Sequence, residues 1–160
     1  MANVAEAGPP APFLGVRFTL LRRGSSGQTE PADPAALRRG EPVWLVFEPN
    51  DAGYLYVYEF DAAGSRWRLL AGERLERRAR REVLRPGSAG EEAGVRELIA
   101  VYTRRPLPDA AAADPLQIAE TARASLVTQW PQGRGVAYVV NTGSRPQSQQ
   151  VVVGVTLSFR

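Results

Sequence analysis

Cysteine, histidine and lysine are absent from the 160-residue sequence. Without cysteine the chain has no disulfide and no thiol nucleophile, and without histidine it has no Ser-His-Asp or Cys-His triad. Zinc fingers and histidine ligation of haem are excluded for the same reason. An enzyme of this composition would depend on carboxylates, hydroxyls or arginine, and no motif for such chemistry is present. We therefore predict no catalytic residue, no cofactor and no metal site, with a carboxylate-only hydrolase as the enzyme class left open.

Long apolar runs are also missing, and the runs that occur have the length of strands rather than the roughly 18 residues of a membrane span. We expect no membrane span. Residues 1–12 are small and proline-rich and have neither the basic nor the apolar region of a signal peptide. The sequence therefore predicts a disordered tail over 1–12 and a single domain over 13–160, a length at which about 70% of the unfolded surface can be buried.

Positive charge is concentrated in one segment. All 20 basic residues are arginines and there are 17 acidic residues, so the net charge is +3. Within 66–85, which we call the Arg-rich segment, eight arginines face three glutamates, a local charge of +5. These arginines are Arg66, Arg68, Arg74, Arg77, Arg78, Arg80, Arg81 and Arg85. Clustered guanidinium groups can bind phosphate or carboxylate polymers, so this is a candidate polyanion site. Solvated surface charge is the alternative that we favour.

Alternating apolar residues predict short strands throughout the chain. The predicted strands are 13–22, 42–48, 54–60, 66–70, 95–103, 135–141 and 150–159. Turn residues between 42–48 and 54–60 predict a hairpin, on which the sandwich prediction relies. Asp114 as N-cap and Pro115 at the first helical position predict one short helix over about 114–126. The fold class is therefore mainly β, an antiparallel β-sandwich of Ig-like or Greek-key type with about seven to nine strands.

Two segments allow more than one interpretation. Residues 73–85 contain Leu75, Ala79 and Val83 at helical spacing, yet 81–86 suits a short strand that ends at a proline, and we favour extended structure. In 54–60 the aromatic residues share one face and Leu55 and Val57 the other, which is typical of a central strand with aromatics packed on the opposite sheet. An exposed aromatic platform for sugars or bases is the alternative. Its members would be Tyr54, Tyr56, Tyr58 and Trp67.

The stretch 39–70 resembles the bacterial domain-of-unknown-function family numbered 4384. The matching features are Gly40-Glu41, the Asn50-Asp51 turn, the Gly-Tyr-Leu-Tyr-Val run 53–57 and the Asp-Gly turn 61–64. Residues 94–107 are similar to a later strand of the family, with Thr103 where serine is usual. The Arg-rich segment departs from the family, because a Phe-Pro-Asn run is expected after Leu70. The resemblance covers about residues 13–107 and implies a β-sandwich module, often in exported proteins, without established catalytic residues.

We therefore expect a non-catalytic binding or structural module of a bacterial protein, exported or envelope-associated. It would present loops and an Arg-rich edge to a protein partner or to a second copy of itself. An anionic-polymer binder, for glycan or nucleic acid, is the alternative function. The resemblance favours a periplasmic or secreted location, while the lack of a signal peptide is also compatible with the cytoplasm.

Overall fold

A computed structural model describes residues 13–87, 90–122, 126–127, 136–140 and 150–160. Within these ranges the chain forms ten strands, a 3-10 helix (Ala110–Ala112) and one α-helix. The elements in chain order are β1 (Gly15–Arg23), β2 (Thr29–Pro31), β3 (Val43–Pro49), β4 (Gly53–Asp61), β5 (Arg66–Leu75), β6 (Arg81–Arg85), β7 (Gly94–Thr103), α1 (Pro115–Ala122), β8 (Leu126–Val127), β9 (Val136–Val140) and β10 (Gln150–Phe159).

The strands form two five-stranded sheets. The first sheet has the order β2-β1-β3-β6, with β9 also paired to β1, and the second has the order β5-β4-β7-β10-β8. All pairs are antiparallel except β8 with β10. The predicted mainly β sandwich is thereby confirmed, while its assignment to the Ig-like or Greek-key type stays a prediction.

One continuous apolar core lies between the two sheets, and alternate residues of the strands supply it. Phe18 of β1 stacks on Phe47 of β3, with ring centroids 4.9 Å apart. Leu55 and Val57 of β4 face the core from the second sheet. Leu37, in the loop between β2 and β3, is also buried and is bridged to β10 at Phe159.

The predicted hairpin between 42–48 and 54–60 is wrong. β3 lies in the first sheet between β1 and β6, whereas β4 lies in the second sheet between β5 and β7. The turn residues form a corner between the layers, and their polar groups bond to distant segments. Asn50 Oδ1 accepts a hydrogen bond from the Gly15 amide (2.8 Å), and the Tyr102 hydroxyl donates to the Asp51 carbonyl (2.6 Å). These contacts hold the chain in a crossing rather than in a tight turn, and the sandwich forms without the hairpin.

The helix begins where the sequence predicts and ends earlier. The Leu116 amide donates to Asp114 Oδ1 at 3.0 Å, which is an N-cap contact, and Pro115 is the first helical residue. The predicted end near 126 is wrong, because Leu126–Val127 pairs in parallel with Val152–Val153 of β10. Pairing with a strand of the sandwich therefore overrides the local helical pattern.

The Arg-rich segment is extended, as predicted, with β5 reaching Leu75 and β6 following at 81–85. The predicted tail 1–12 lies outside the described residues, so the single-domain boundary at 13 stays a prediction.

Candidate functional site

The Arg-rich segment follows one side of the sandwich. β5 is an edge strand of the second sheet and β6 is an edge strand of the first. Residues 76–80 connect the two edges, and the Arg78 amide donates to the Pro49 carbonyl at 3.0 Å. The segment therefore borders both layers, a placement that depends on which strands pair.

The structure does not bring the eight arginines into one patch. They divide among four places, in part because side chains alternate along a strand. Arg66 and Arg68 lie opposite Asp61 and Glu59 of β4, on the face of the second sheet that looks toward the first. Arg81 and Arg85 project from β6 toward the second sheet, since their carboxylate partners Glu73 and Glu59 belong to β5 and β4. The remaining four are Arg74, opposite Tyr54 on the outer face, and Arg77, Arg78 and Arg80 in the turn.

Glutamates neutralise part of the exposed charge. Arg74 pairs with Glu76 at 2.6 Å and Arg80 with Glu82 at 3.1 Å, and all four side chains are at least half exposed. Exposed pairs of this kind contribute about 0–1 kcal/mol to stability. Among the described residues, no ion pair or side-chain hydrogen bond involves Arg66 or Arg78.

Arg85 is the exception, because its guanidinium is buried between the sheets. Its Nε donates to Glu59 Oε1 at 2.9 Å and its Nη2 donates to Glu91 Oε1 at 2.5 Å. The exposed fractions of the three side chains are 6% for Arg85, 11% for Glu59 and 9% for Glu91. Arg68 Nη2 donates to the other oxygen of Glu59 at 3.1 Å. The Arg85 guanidinium carbon also lies 4.6 Å from the centroid of the Phe159 ring, a cation–π distance.

Electrostatics favour the ionised forms of Arg85 and Glu91. Burial opposes charge on Arg85, but the hydrogen bonds and charges of Glu91 and Glu59 outweigh it and raise the pKa of the guanidinium. Burial likewise opposes charge on Glu91, but the hydrogen bond and charge of Arg85 outweigh it and lower the pKa of that carboxyl. A general acid needs a raised carboxyl pKa at neutral pH, so the shift at Glu91 has the opposite direction. The geometry is that of an ion cluster that joins the two sheets.

A cleft of about 760 Å³ lies beside the cluster. Both signs of charge line it, through Arg68 and Arg96 on one hand and Glu92 and Glu97 on the other. Because these charges offset each other, the cleft has no excess of positive charge that would favour a polyanion.

Two buried atoms of the ion cluster, Arg85 Nη1 and Glu91 Oε2, have no hydrogen-bond partner among the described residues.

The composition of the chain does not identify Glu59 and Glu91 as members of this cluster. The position of Glu59 could have indicated its role, because it is the single carboxylate within the aromatic strand 54–60. An ionised side chain needs a cation partner if it is buried in such a strand. Glu91 gave no such indication, since it lies in a glycine-rich loop between Arg85 and β7, and its contacts with Arg85, Arg96 and the Gly40 backbone arise from the fold.

The aromatic row faces away from the opposite sheet, so the prediction that it packs on that sheet is wrong. Tyr56 and Tyr58 are buried, as predicted for the central strand, but under the segment that follows β7. The Tyr56 hydroxyl accepts a hydrogen bond from the Leu107 amide (3.0 Å), and the Tyr58 hydroxyl donates to the Ala110 carbonyl (2.8 Å). Burial of Tyr58 and the neighbouring Tyr56 raise the pKa of its phenol to about 12.

Only part of the candidate platform is accessible. Tyr54 and Trp67 are half-buried, and the Trp67 ring contacts Phe60 edge to face, with centroids 5.2 Å apart and planes at 62°. The chain itself covers Tyr56 and Tyr58, so the four residues do not form a continuous exposed surface in this conformation.

The part of the chain that the structure describes lacks two further features. No three acidic side chains there approach each other in a way that could hold a metal ion. No helix there has the length and apolarity that a membrane crossing requires.

No family model, curated protein or solved structure matches the chain. The resemblance to the family numbered 4384 therefore stays a prediction from its motifs.

Proposed function

We propose that this chain is a non-catalytic interaction module that binds a protein partner through the Arg-rich segment. The observation that carries the proposal is the coincidence of two sheet edges and an exposed connecting turn on one side of the sandwich. Sheet edges with unpaired backbone groups are natural sites of association. The family resemblance supports a bacterial exported or envelope-associated setting.

The side chains of this segment suit a protein surface. Six of the eight arginines are exposed: Arg66, Arg68, Arg74, Arg77, Arg78 and Arg80. Arginine is enriched at protein interfaces because its planar guanidinium binds carboxylates bidentately and also packs on apolar groups. The burial of Arg85 and the pairing of Arg81 with Glu73 remove two charges from the set available to a polymer. The remaining exposed arginines are spread over several surfaces, which favours a protein partner over a polyanion.

Site-specific photo-crosslinking in the organism that produces the chain tests the proposal. A photoreactive residue at position 78 lies in the turn between β5 and β6, and the matched control at position 29 lies on β2, at the other edge of the first sheet. We expect a discrete protein adduct from position 78 and none from position 29. Equal adducts at both positions, or none at position 78, would refute the proposal.

Retention on immobilised heparin and DNA distinguishes the anionic-polymer alternative. We compare the wild type with a variant carrying Arg77→Ser, Arg78→Asn and Arg80→Ser, which leaves the buried cluster intact. Binding through several phosphate contacts would fall by orders of magnitude between about 50 and 200 mM salt. We expect wild type and variant to elute together at low salt. Strong retention of the wild type that the variant loses would support the polymer instead.

A further inference from the structure

The edge of β5 that faces away from β4 has no strand partner among the described residues. β5 spans ten residues and pairs with β4 on its other edge. The backbone amides and carbonyls along a free edge can pair with an additional strand. The arginines of β5 would repel a positively charged strand, so the edge favours a strand with acidic side chains.

The two faces of β5 carry different kinds of side chain. On the face that looks toward the first sheet, Arg66 and Arg68 are exposed and lie two residues apart. Arg68 also donates to Glu59 of β4 through Nη2, and its side chain remains 63% exposed. On the other face, Trp67 and Leu69 are half-buried and pack with the aromatic row of β4. Because side chains of adjacent strands meet on the same face, an added strand would encounter cations on one side and apolar groups on the other.

A groove borders β5 at residues 65–69. It has a volume of about 650 Å³ and is lined by Trp67 and Leu69, by the neighbouring Ser65, Arg66 and Arg68, and by the alanines 111–113 with Asp114. These alanines belong to the segment that covers the second sheet. Alternate side chains of a strand added to β5 would point into this groove, as in other complexes formed by strand addition, where pockets for alternate side chains supply specificity.

We propose that β5 is a docking strand for an extended segment of a partner protein in which acidic and apolar residues alternate. The acidic residues pair with Arg66 and Arg68, and the apolar residues contact Trp67 and Leu69 and enter the groove. This inference rests on the proposed function and narrows it to one strand and one partner chemistry. A second copy of β5 is a poorer occupant, because the arginines of the two strands would repel each other.

Binding of synthetic peptides to the full chain tests the docking strand. The probe is a fluorescent peptide of alternating glutamate and valine, measured by fluorescence anisotropy. One control peptide has the same composition with its glutamates in one block, and a second has the alternating sequence with every other backbone amide N-methylated. We expect both controls to bind at least tenfold more weakly, since one breaks the side-chain alternation and the other breaks the strand hydrogen bonds.

Matched protein variants locate the contact. Arg66→Gln removes one exposed charge from β5, and Arg17→Gln removes one from β1 of the other sheet, outside the Arg-rich segment. Loss of one exposed ion pair should weaken the probe about fivefold in Arg66→Gln, and Arg17→Gln should bind it as the wild type does. Hydrogen exchange should show new protection of amides in 66–75 on peptide binding, and none in β2.

Several results would overturn the docking strand: no binding of the alternating peptide, equal binding of either control peptide, equal effects of the two variants, or no protection in 66–75. Concentration-dependent dimerisation that Arg66→Gln abolishes would assign the edge to a second copy instead. The crosslinking at position 78 reports on the proposed function separately. If position 78 gives an adduct but one of the results above is obtained, only the docking strand is refuted. If position 78 gives no adduct, the proposed function itself is refuted.

Discussion

The buried ion cluster should contribute strongly to stability, and substitution of Arg85 tests this. In Arg85→Met the chain keeps a side chain of similar length but leaves Glu59 and Glu91 without their shared cation. Both carboxylates are almost entirely buried, with 11% and 9% of their side-chain surface exposed. Removal of one partner from a buried ion pair costs about 3–5 kcal/mol. This is a large part of the roughly 5–15 kcal/mol that stabilises a typical domain.

Two further variants separate charge burial from packing. The triple variant Arg85→Met, Glu59→Gln, Glu91→Gln has no uncompensated charge in the cluster, so it should recover most of the lost free energy of unfolding. The control Arg80→Met breaks the exposed pair with Glu82 and should cost less than about 1 kcal/mol.

The pH dependence of stability provides a second test, because stability should change with pH in opposite directions in the wild type and in Arg85→Met. In the wild type the pKa of Glu91 is lowered by Arg85, so its contribution is present above the ordinary glutamate pKa and is lost as pH falls through the lower folded value. In Arg85→Met the Glu91 carboxyl loses the hydrogen bond and charge that lower its pKa, so burial favours its protonated form and the variant should become more stable as pH falls from 7 toward about 4.

Urea unfolding followed by tryptophan fluorescence at several pH values measures both effects. A loss below about 1 kcal/mol for Arg85→Met at pH 7 would refute the cluster as a main contact between the sheets. The same conclusion would follow if variant and wild type had the same slope of stability against pH.

Three other predictions concern the packing around the cluster and the aromatic row. Gly87→Ala should destabilise the chain by about 1–3 kcal/mol, because the added Cβ would overlap the Gly40 carbonyl oxygen. The control Gly90→Ala meets nothing within 4 Å and should change thermal stability by less than about 0.5 kcal/mol. Equal effects of the two variants would contradict the close approach of Gly87 to Gly40. Stability should fall as pH rises from 10 toward 12, because Tyr58 has a pKa of about 12 in the folded chain and about 10 when unfolded; a flat unfolding free energy over this range would contradict its burial. Tyr56→Ala should cost about 3–5 kcal/mol in urea unfolding, and a cost below about 1 kcal/mol would place the ring on an accessible surface.

Local pattern was sufficient to predict most of the secondary structure. Alternation along 54–60 predicted that Leu55 and Tyr56 are buried on opposite faces, and both are. Asp114 and Pro115 predicted the start of the helix because N-capping involves only neighbouring residues. The extended form of the Arg-rich segment followed from the proline after Arg85 and the alternation before it.

Tertiary structure decided what each buried face meets. A period of two shows that a face is covered but does not identify the covering element, so the row of Tyr56 and Tyr58 was assigned to the opposite sheet although a later segment covers it. The corner at 49–53 has the composition of a hairpin turn, and only its bonds to Gly15 and Tyr102 make it a crossing between layers.

The arginines also separate what the sequence determines from what the tertiary structure determines. Composition alone determined that 66–85 is strongly positive and that the chain has no histidine or cysteine chemistry, and the alternation of apolar residues predicted that its elements are mainly strands. It did not determine that Arg85 is buried while Arg66 and Arg78 are exposed. That difference arises because β5 and β6 join different sheets, which brings Glu59, 26 residues away in sequence, against Arg85. Strand pairing is a long-range interaction, and a local pattern contains no information about which strands will be neighbours.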